Sequence, residues 1–153
     1  MKVEVVKQPK LRIASVRHVG SYEGIPEAFQ RLNELVTAAG LNDKDTILVG
    51  IYHDDPSNTP EEKLRSDAGI TIPAKTKLPP GLTEVIIPAG RYAHSTHVGP
   101  YTGLGDAWGH LRNDWLSKSG ERPGPGVSYE VYRNTPMNAK PHELVTDLYF
   151  PLK

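Results

Sequence analysis

The feature that most constrains the fold of this chain is an internal repeat. The segment 12–24 returns 79 residues later as 91–103, and both copies carry Arg-x-Ala followed by His-Val-Gly-x-Tyr-x-Gly. At this offset residues 6–39 show eleven identities in 34 aligned positions, whereas ordinary residue usage would give roughly two. With one residue inserted, residues 51–67 align with 131–147 and add five further identities. The chain is therefore expected to contain two similar halves.

Each half has the pattern of the element order β-β-α-β-β. Strands are indicated by β-branched and aromatic residues between turn signals, and helices by apolar residues spaced three and four apart. In the first half the predicted elements are strands over 2–7 and 10–19, a helix over 25–39, and strands over 45–54 and 67–73. In the second half they are strands over 83–87 and 91–98, a helix over 104–117, and strands over 129–134 and 145–152.

These elements predict an α+β fold, internally duplicated, with pseudo-two-fold symmetry around a central cleft. One domain spans residues 1–153, with half-repeats at about 1–73 and 83–153 and a linker at 74–82. Two copies are too few for a solenoid, which needs at least three, so two halves packed together are expected. A cleft of this kind is a preferred place for a ligand pocket.

Composition narrows the classes of function. Lys plus Arg equals Asp plus Glu at 18 each, and no basic run or zinc-finger spacing appears, so direct binding to nucleic acid is not expected. The absence of Cys excludes disulfides and thiolate chemistry. The segment 1–7 is too short and too charged for a signal peptide, and no apolar run reaches membrane length. A cytoplasmic domain without membrane contact is the expectation.

The strand over 129–134 carries an acidic residue among aromatic ones. Because side chains alternate along a strand, Glu130 and Tyr132 share one face. A carboxylate there costs several kcal/mol if it is buried without a partner, so the partner is either a ligand or an arginine such as Arg91 or Arg133. In the repeat Glu130 aligns with Gly50, which shows that the fold itself does not require a carboxylate at this position.

Three further aromatic residues, Trp108, Tyr101 and Tyr52, are candidates for the walls of a site at Glu130. Trp108 and Trp115 lie seven apart on one helical face, and we assign Trp115 to the core and Trp108, nearer the helix start, to the site. Tyr101 and Tyr52 each have an equivalent tyrosine in the other half, so structural and functional roles are both open for them.

Metal and cofactor sites are not predicted. His94 and His97 fall on opposite faces of their strand, and His97 is repeated as His18 without a neighbouring ligand, so packing beside a turn is the better explanation. The glycines at 99–105 lack the Lys-Ser/Thr of a phosphate-binding loop.

Several motifs together resemble the GyrI-like small-molecule-binding domain family. They are His97-Val98-Gly99-Pro100-Tyr101, Ala107-Trp108 with Leu111 and Trp115-Leu116, Tyr129-Glu130-Val131-Tyr132, and Thr146-Asp147-Leu148-Tyr149-Phe150-Pro151. In the first half, Asp55-Pro56 and Thr59–Asp67 resemble the signature of the stand-alone gyrase-inhibitory members. The resemblance spans nearly the whole chain, and no helix-turn-helix precedes it here, so a role as a transcription activator is not expected.

The resemblance implies a central pocket for lipophilic, often cationic, drugs or toxins. Glu130 would be its acidic floor, with Tyr132 and Tyr149 as aromatic walls. Two alternatives stay open beside such a binding protein, which would protect against toxins and inhibit DNA gyrase. One is a hydrolase of cyclopropane-bearing DNA-alkylating drugs with Glu130 as general base. The other is a protein that inhibits DNA gyrase without a ligand, through its acidic loop at 54–62.

Overall fold

The computed structural model describes residues 2–153, a mixed fold of helices and antiparallel strands. The strands are β1 (Glu4–Gln8), β2 (Leu11–Val19), β3 (Leu48–Tyr52), β4 (Arg65–Thr71), β5 (Thr83–Ile87), β6 (Gly90–Val98), β7 (Ser128–Tyr132) and β8 (Val145–Pro151). The helices are α1 (Ile25–Ala39), α2 (Leu104–Gly109) and α3 (Leu116–Ser119), and a π-helical segment (His110–Trp115) joins α2 to α3. The predicted order β-β-α-β-β therefore occurs twice along the chain.

The chain forms two compact units, which we name after the residues that differ between them. The Glu130 unit comprises residues 2–10 and 88–153, and the Gly50 unit comprises Leu11–Ile87. The sheet of the Glu130 unit has the order β1-β6-β8-β7, and that of the Gly50 unit has the order β3-β4-β2-β5. Strand β1, the first strand of the first sequence half, pairs with β6 of the second half. Strand β5, the first strand of the second half, pairs with β2 of the first half.

Most element bounds follow the sequence, and the differences are local. Helix α1 begins and ends as predicted, and its C-cap Gly40 has the left-handed φ of 65° that favours glycine. The strand predicted over 45–54 is shorter at both ends. Before it, the Asp43 carboxylate accepts the backbone N–H of Asp45 in a turn. After it, the Asp54 carboxylate accepts a hydrogen bond from the backbone N–H of Arg65.

Two further predictions were wrong in detail. The spacing of Thr59 and Glu62, with Pro60 between them, predicts a capping box, but the short helical turn Glu61–Lys63 starts after Pro60 without a side-chain cap. The regular helix expected over 104–117 contains the π-helical segment His110–Trp115, a widened turn that occurs frequently at functional sites.

The repeated His-Val-Gly-x-Tyr-x-Gly motif fixes the entry of the chain into each helix. In the Glu130 unit, His97 Nε2 lies 3.0 Å from the carbonyl oxygen of Pro100 and donates to it. The imidazole packs against Gly103, where a Cβ would come within 2.8 Å of His97 Cε1. In the Gly50 unit His18 makes the same contacts with the Ser21 carbonyl and with Gly24. The motif is therefore a turn in which the histidine needs a glycine beside it.

Each unit has its own apolar core between sheet and helix. In the Gly50 unit the buried members include Ala14, Leu32, Val36, Ala68 and Ile70. In the Glu130 unit they are Ala93, Ala107, Leu111, Leu148, Phe150 and Leu152, with Trp108 and Trp115 packed against them. No helix within residues 2–153 is both long and apolar enough to cross a membrane.

On the sheet face away from the helix, each unit buries an aspartate. Asp147 on β8 accepts hydrogen bonds from Arg133 Nε at 2.6 Å, Thr96 Oγ1 at 2.8 Å and His94 Nε2 at 2.9 Å. Burial raises the pKa of Asp147, but the hydrogen bonds from Arg133, His94 and Thr96 outweigh it and leave this pKa below its usual value.

The equivalent Asp67 on β4 has a similar environment with different partners. Arg17 Nε lies 2.6 Å and His53 Nε2 lies 2.5 Å from its carboxylate oxygens. Burial raises the pKa of Asp67, and hydrogen bonds from His53 and Arg17 lower it below its usual value. Both aspartates are therefore structural anions that hold neighbouring strands together.

Replacement of Gly103 by alanine is expected to destabilise the protein by about 1–3 kcal/mol, because the new methyl group overlaps the His97 ring. The free energy of unfolding in urea measures this. The matched control is Gly105→Ala two residues further along, where a Cβ meets no atom within 4 Å and alanine favours the helix. Equal stability of the two variants would contradict the proposed turn.

Stability should depend on Asp147 in a pH-dependent way. The pKa of Asp147 is lower in the folded chain than its usual value. The ionised side chain therefore stabilises the fold fully at pH values above the usual pKa, and this stabilisation is lost as the pH falls through the pKa of the folded chain. Asp147→Asn should lower the free energy of unfolding at neutral pH by about 2 kcal/mol and flatten its decline in acid. Urea unfolding at a series of pH values tests this against Asp45→Asn, an exposed control; parallel curves for parent and Asp147→Asn would contradict it.

Candidate functional site

The carboxylate of Glu130 lies inside the Glu130 unit and not at its surface. Glu130 is in the middle of β7 and is 2% exposed. Its Oε1 accepts the Tyr132 hydroxyl and its Oε2 accepts the Trp108 indole N–H, both at 2.6 Å. Glu130 is therefore buried, and the two arginines considered as its partners contact other acids. Arg91 pairs with Glu121, and Arg133 with Asp147.

Three elements position these groups. Strand alternation places Tyr132 two residues from Glu130 on the same face, which the hydrogen bond between them confirms. Buried Leu148 of β8 lies directly opposite Glu130 in the sheet. Trp108 comes from α2, whose apolar side packs on this face of the sheet, so its indole N–H reaches the carboxylate from above.

Both described donors to Glu130 are neutral. Hydrogen bonds in which the acceptor is ionised are shorter and stronger than neutral ones, and the two 2.6 Å contacts fit an ionised carboxylate. The two donors thus hold the carboxylate among aromatic side chains. Chemically it can attract a cation, or it can orient a polar group of an uncharged aromatic molecule.

Tyr101 forms the outer part of this cluster. Its ring meets the Tyr132 ring edge-on with centroids 5.8 Å apart, and 37% of the residue remains exposed. Burial raises the pKa of Tyr101, and the negative charge of Glu130 raises it further. Tyr101 therefore lies within electrostatic reach of the carboxylate while still facing solvent.

Sequence analysis missed Arg112. Its guanidinium Cζ lies 5.7 Å from the centroid of the Trp108 ring and 6.0 Å from that of Phe150, distances at which a cation–π attraction operates. The available signal was the spacing, because Arg112 follows Trp108 by four residues on the same helix. A positive charge therefore lies against the same indole that donates to Glu130.

Tyr149 does not lie on the sheet face that carries Glu130. In the pairing of β7 with β8, Tyr149 lies opposite Tyr129, which places it on the other face of the sheet from Glu130. The Tyr149 ring stacks on Tyr129 at 4.7 Å and lies 4.8 Å from His94. Burial raises the pKa of Tyr149. The structure thus places Tyr149 in an aromatic cluster of its own.

Tyr52 belongs to the Gly50 unit. Its ring meets that of Tyr22 edge-on at 5.0 Å, and the Tyr22 hydroxyl donates to the carbonyl of Asp54. Tyr52 lies opposite Ser66 in the sheet, as Tyr132 lies opposite Thr146 in the other unit. The two repeated tyrosines therefore occupy matching positions, and only Tyr132 has a carboxylate two residues before it.

The histidines are engaged in packing and hydrogen bonds. His94 contacts Asp147 and His97 contacts the Pro100 carbonyl, on opposite faces of β6. Among residues 2–153, no group of three or more His, Asp or Glu side chains is arranged to hold a metal ion.

Comparison with known proteins gives a consistent picture. A family model described as the GyrI-like small molecule binding domain matches residues 1–153. The chain is 36% identical over 140 residues to the DNA gyrase inhibitor of Yersinia enterocolitica serotype O:8 / biotype 1B, covering 88% of this chain and 87% of that protein.

Solved structures show the same fold at lower identity. The C-terminal domain of EcmrR superposes with a TM-score of 0.84 at 20% identity, covering 99% of this chain and 97% of that one. SAV2435 bound to tetraphenylphosphonium superposes with a TM-score of 0.70 at 12% identity, covering 100% and 94%.

Proposed function

The chain belongs to the GyrI-like small molecule binding domain family, and we propose that it binds lipophilic aromatic drugs or toxins, cations among them, against Glu130. Trp108, Tyr132 and Tyr101 would contact the bound molecule. Tyr149 and Tyr52, which the family resemblance and the repeat suggested, are assigned no contact in this proposal. A protein with this activity would protect a cell by sequestering the compound.

The observation that carries the proposal is the buried, ring-lined carboxylate of Glu130. Burying an ionised carboxylate costs several kcal/mol, and the aligned Gly50 shows that the scaffold forms without one. A cation about 4 Å away gains about 4 kcal/mol at an effective dielectric constant of about 20, and each aromatic face adds about 0.5–2 kcal/mol. Ligand binding thus accounts for an acid that the fold does not require.

The relatives support the same class of activity. Tetraphenylphosphonium, to which SAV2435 is bound, is a lipophilic cation, and it is therefore a suitable first probe for this chain. The repeat of the element order supports the duplication of one β-β-α-β-β module, of which one copy acquired the acidic site.

Glu130→Gln should weaken binding of tetraphenylphosphonium at least about tenfold, which corresponds to about 1.4 kcal/mol, because the amide keeps the shape and loses the charge. Isothermal titration calorimetry measures the affinity, and circular dichroism checks the fold. Glu4→Gln, which removes an exposed carboxylate from the same unit, should leave binding unchanged.

The outcomes separate the candidate functions. Equal affinity of Glu130→Gln and the parent for tetraphenylphosphonium would contradict the proposed role of the carboxylate. A parent protein that binds neither cationic nor neutral lipophilic probes would overturn the binding function. Mass spectrometry of a cyclopropane-bearing compound after incubation distinguishes binding from hydrolysis. A product formed by the parent and lost in Glu130→Gln would establish the hydrolase instead.

A second function, inhibition of DNA gyrase, is favoured by the name of the Yersinia relative at 36% identity. We propose that the loop at 54–62 supplies the contact. Asp55 shapes it by accepting hydrogen bonds from the Ser57 N–H and the Asn58 side chain, and Glu61 and Glu62 are exposed at its end.

The purified chain should inhibit DNA supercoiling by gyrase, and Glu61→Lys/Glu62→Lys should abolish this, because the reversed charges would repel a basic docking surface. A supercoiling assay on plasmid DNA measures it. Glu27→Lys/Glu34→Lys, an exposed pair on α1, is the control. Absence of inhibition by the parent, or equal loss in both variants, would contradict the assignment.

A further inference from the structure

An open groove lies beside the acidic loop of the Gly50 unit. Its volume is about 240 Å³, which is below the roughly 300–1,000 Å³ of most small-molecule pockets. Its apolar lining includes Tyr22, Pro56 and Leu64, and its carboxylates are those of Glu23 and Glu61. A groove of this size suits one or two side chains of a partner protein better than a whole drug molecule.

Two hydrogen bonds fix the walls of this groove. The backbone N–H of Gly20 donates to the carbonyl of Leu64 at 2.8 Å, and the Tyr22 hydroxyl donates to the carbonyl of Asp54 at 2.7 Å. The turn before α1 is therefore joined to the loop beside it. A partner that binds here meets a surface that is already in place, and this lowers the entropic cost of association.

The groove carries negative charge at its rim. Glu23 and Glu61 are both exposed, and neither forms an ion pair with another of the described residues 2–153. The side chains that line the groove include no lysine or arginine, and Arg65, which follows buried Leu64, is held by the carboxylate of Asp54 at 2.9 Å. An apolar floor with an acidic rim is complementary to a side chain that has an apolar stem and a cationic end.

The sequence repeat separates the frame of the groove from its charge. The apolar members recur at the equivalent positions of the Glu130 unit, as Tyr101, Pro136 and Leu144. The acids do not recur. Glu23 corresponds to Thr102. Glu61 corresponds to Pro141. The frame is therefore common to both units, whereas the two carboxylates belong to the Gly50 unit alone.

We propose that this groove is an interaction surface that receives an arginine side chain of a partner protein, with the guanidinium held between Glu23 and Glu61. The aliphatic part of the arginine lies on Tyr22 and Pro56. This rests on the proposed inhibition of DNA gyrase, and it extends the contact beyond the loop at 54–62 to Glu23. A guanidinium presents five N–H donors in a planar fork and stacks on aromatic faces, so it can bind two carboxylates at once, whereas the ammonium of lysine is a compact and strongly hydrated point charge.

The first test is an NMR titration of the backbone amide signals with Nα-acetylarginine amide, a single capped arginine. The signals of Tyr22–Gly24 and Glu61–Lys63, the two turns that carry the acids, should shift and saturate. Those of the equivalent turns Tyr101–Gly103 and Pro141–Glu143 should stay in place, which gives a control in the same sample. Nα-acetylcitrulline amide, the uncharged analogue of the same shape, should bind at least about fivefold more weakly, and Nα-acetyllysine amide should also bind more weakly.

The second test uses variants of the acids. Glu23→Gln/Glu61→Gln should abolish the shifts, and it should raise the protein concentration that half-inhibits supercoiling by gyrase at least about fivefold. Glu23→Gln alone, which leaves the loop at 54–62 unchanged, should raise this concentration at least about twofold. Glu27→Gln/Glu34→Gln removes two exposed carboxylates from α1 and should change neither measurement.

The outcomes separate the groove from the inhibition of gyrase. If the parent inhibits gyrase, but arginine amide shifts neither turn and Glu23→Gln inhibits as well as the parent, the groove proposal is overturned and the function stands. If arginine amide binds at the two turns but the parent does not inhibit gyrase, the function is overturned and the arginine-binding groove stands. Equal binding of the citrulline or the lysine amide, or arginine binding that Glu23→Gln/Glu61→Gln retains, would also overturn the inference.

Discussion

The carboxylate of Glu130 and its two short hydrogen bonds are the interaction on which the candidate site depends. An ionised acid that is 2% exposed is tolerated only if its oxygens are satisfied, since an unpaired buried charge would cost far more than one ordinary contact contributes. Satisfying it requires β7 to present Tyr132 and α2 to present Trp108 at the same point. The turn at His97 and Gly103, which starts the helix, is thus coupled to the chemistry of the acid through the position of Trp108.

The two units show what the scaffold needs and what one unit has added. Both contain the histidine–glycine turn, the buried aspartate on the far sheet face and a tyrosine opposite a small hydroxyl residue. These shared features account for the identities between the halves. Glu130 is matched by Gly50, so the other unit forms with the same element order without an acid at this position.

Sequence reasoning succeeded where the relevant physics is local. The helix bounds of α1 follow from apolar spacing and a glycine cap, and the shared face of Glu130 and Tyr132 follows from strand alternation. Tyr149 could not be placed in this way, because alternation within β8 does not say which of its faces meets Glu130. Only the register, with Tyr129 opposite Tyr149, decides that. The pairing of β1 with β6 and of β5 with β2 likewise joins segments that are distant in the sequence, and no local pattern encodes it.

The partners of the buried acids separate structural carboxylates from the candidate binding carboxylate. Asp147 and Asp67 each contact an arginine directly, so their charges are largely neutralised inside the sheet and their pKa values lie below the usual one. Glu130 receives its described hydrogen bonds from an indole and a phenol, which orient its two carboxylate oxygens. The guanidinium of Arg112 lies over the ring of that indole. The acids that hold the strands together and the acid of the candidate site thus differ in the charge of their described donors.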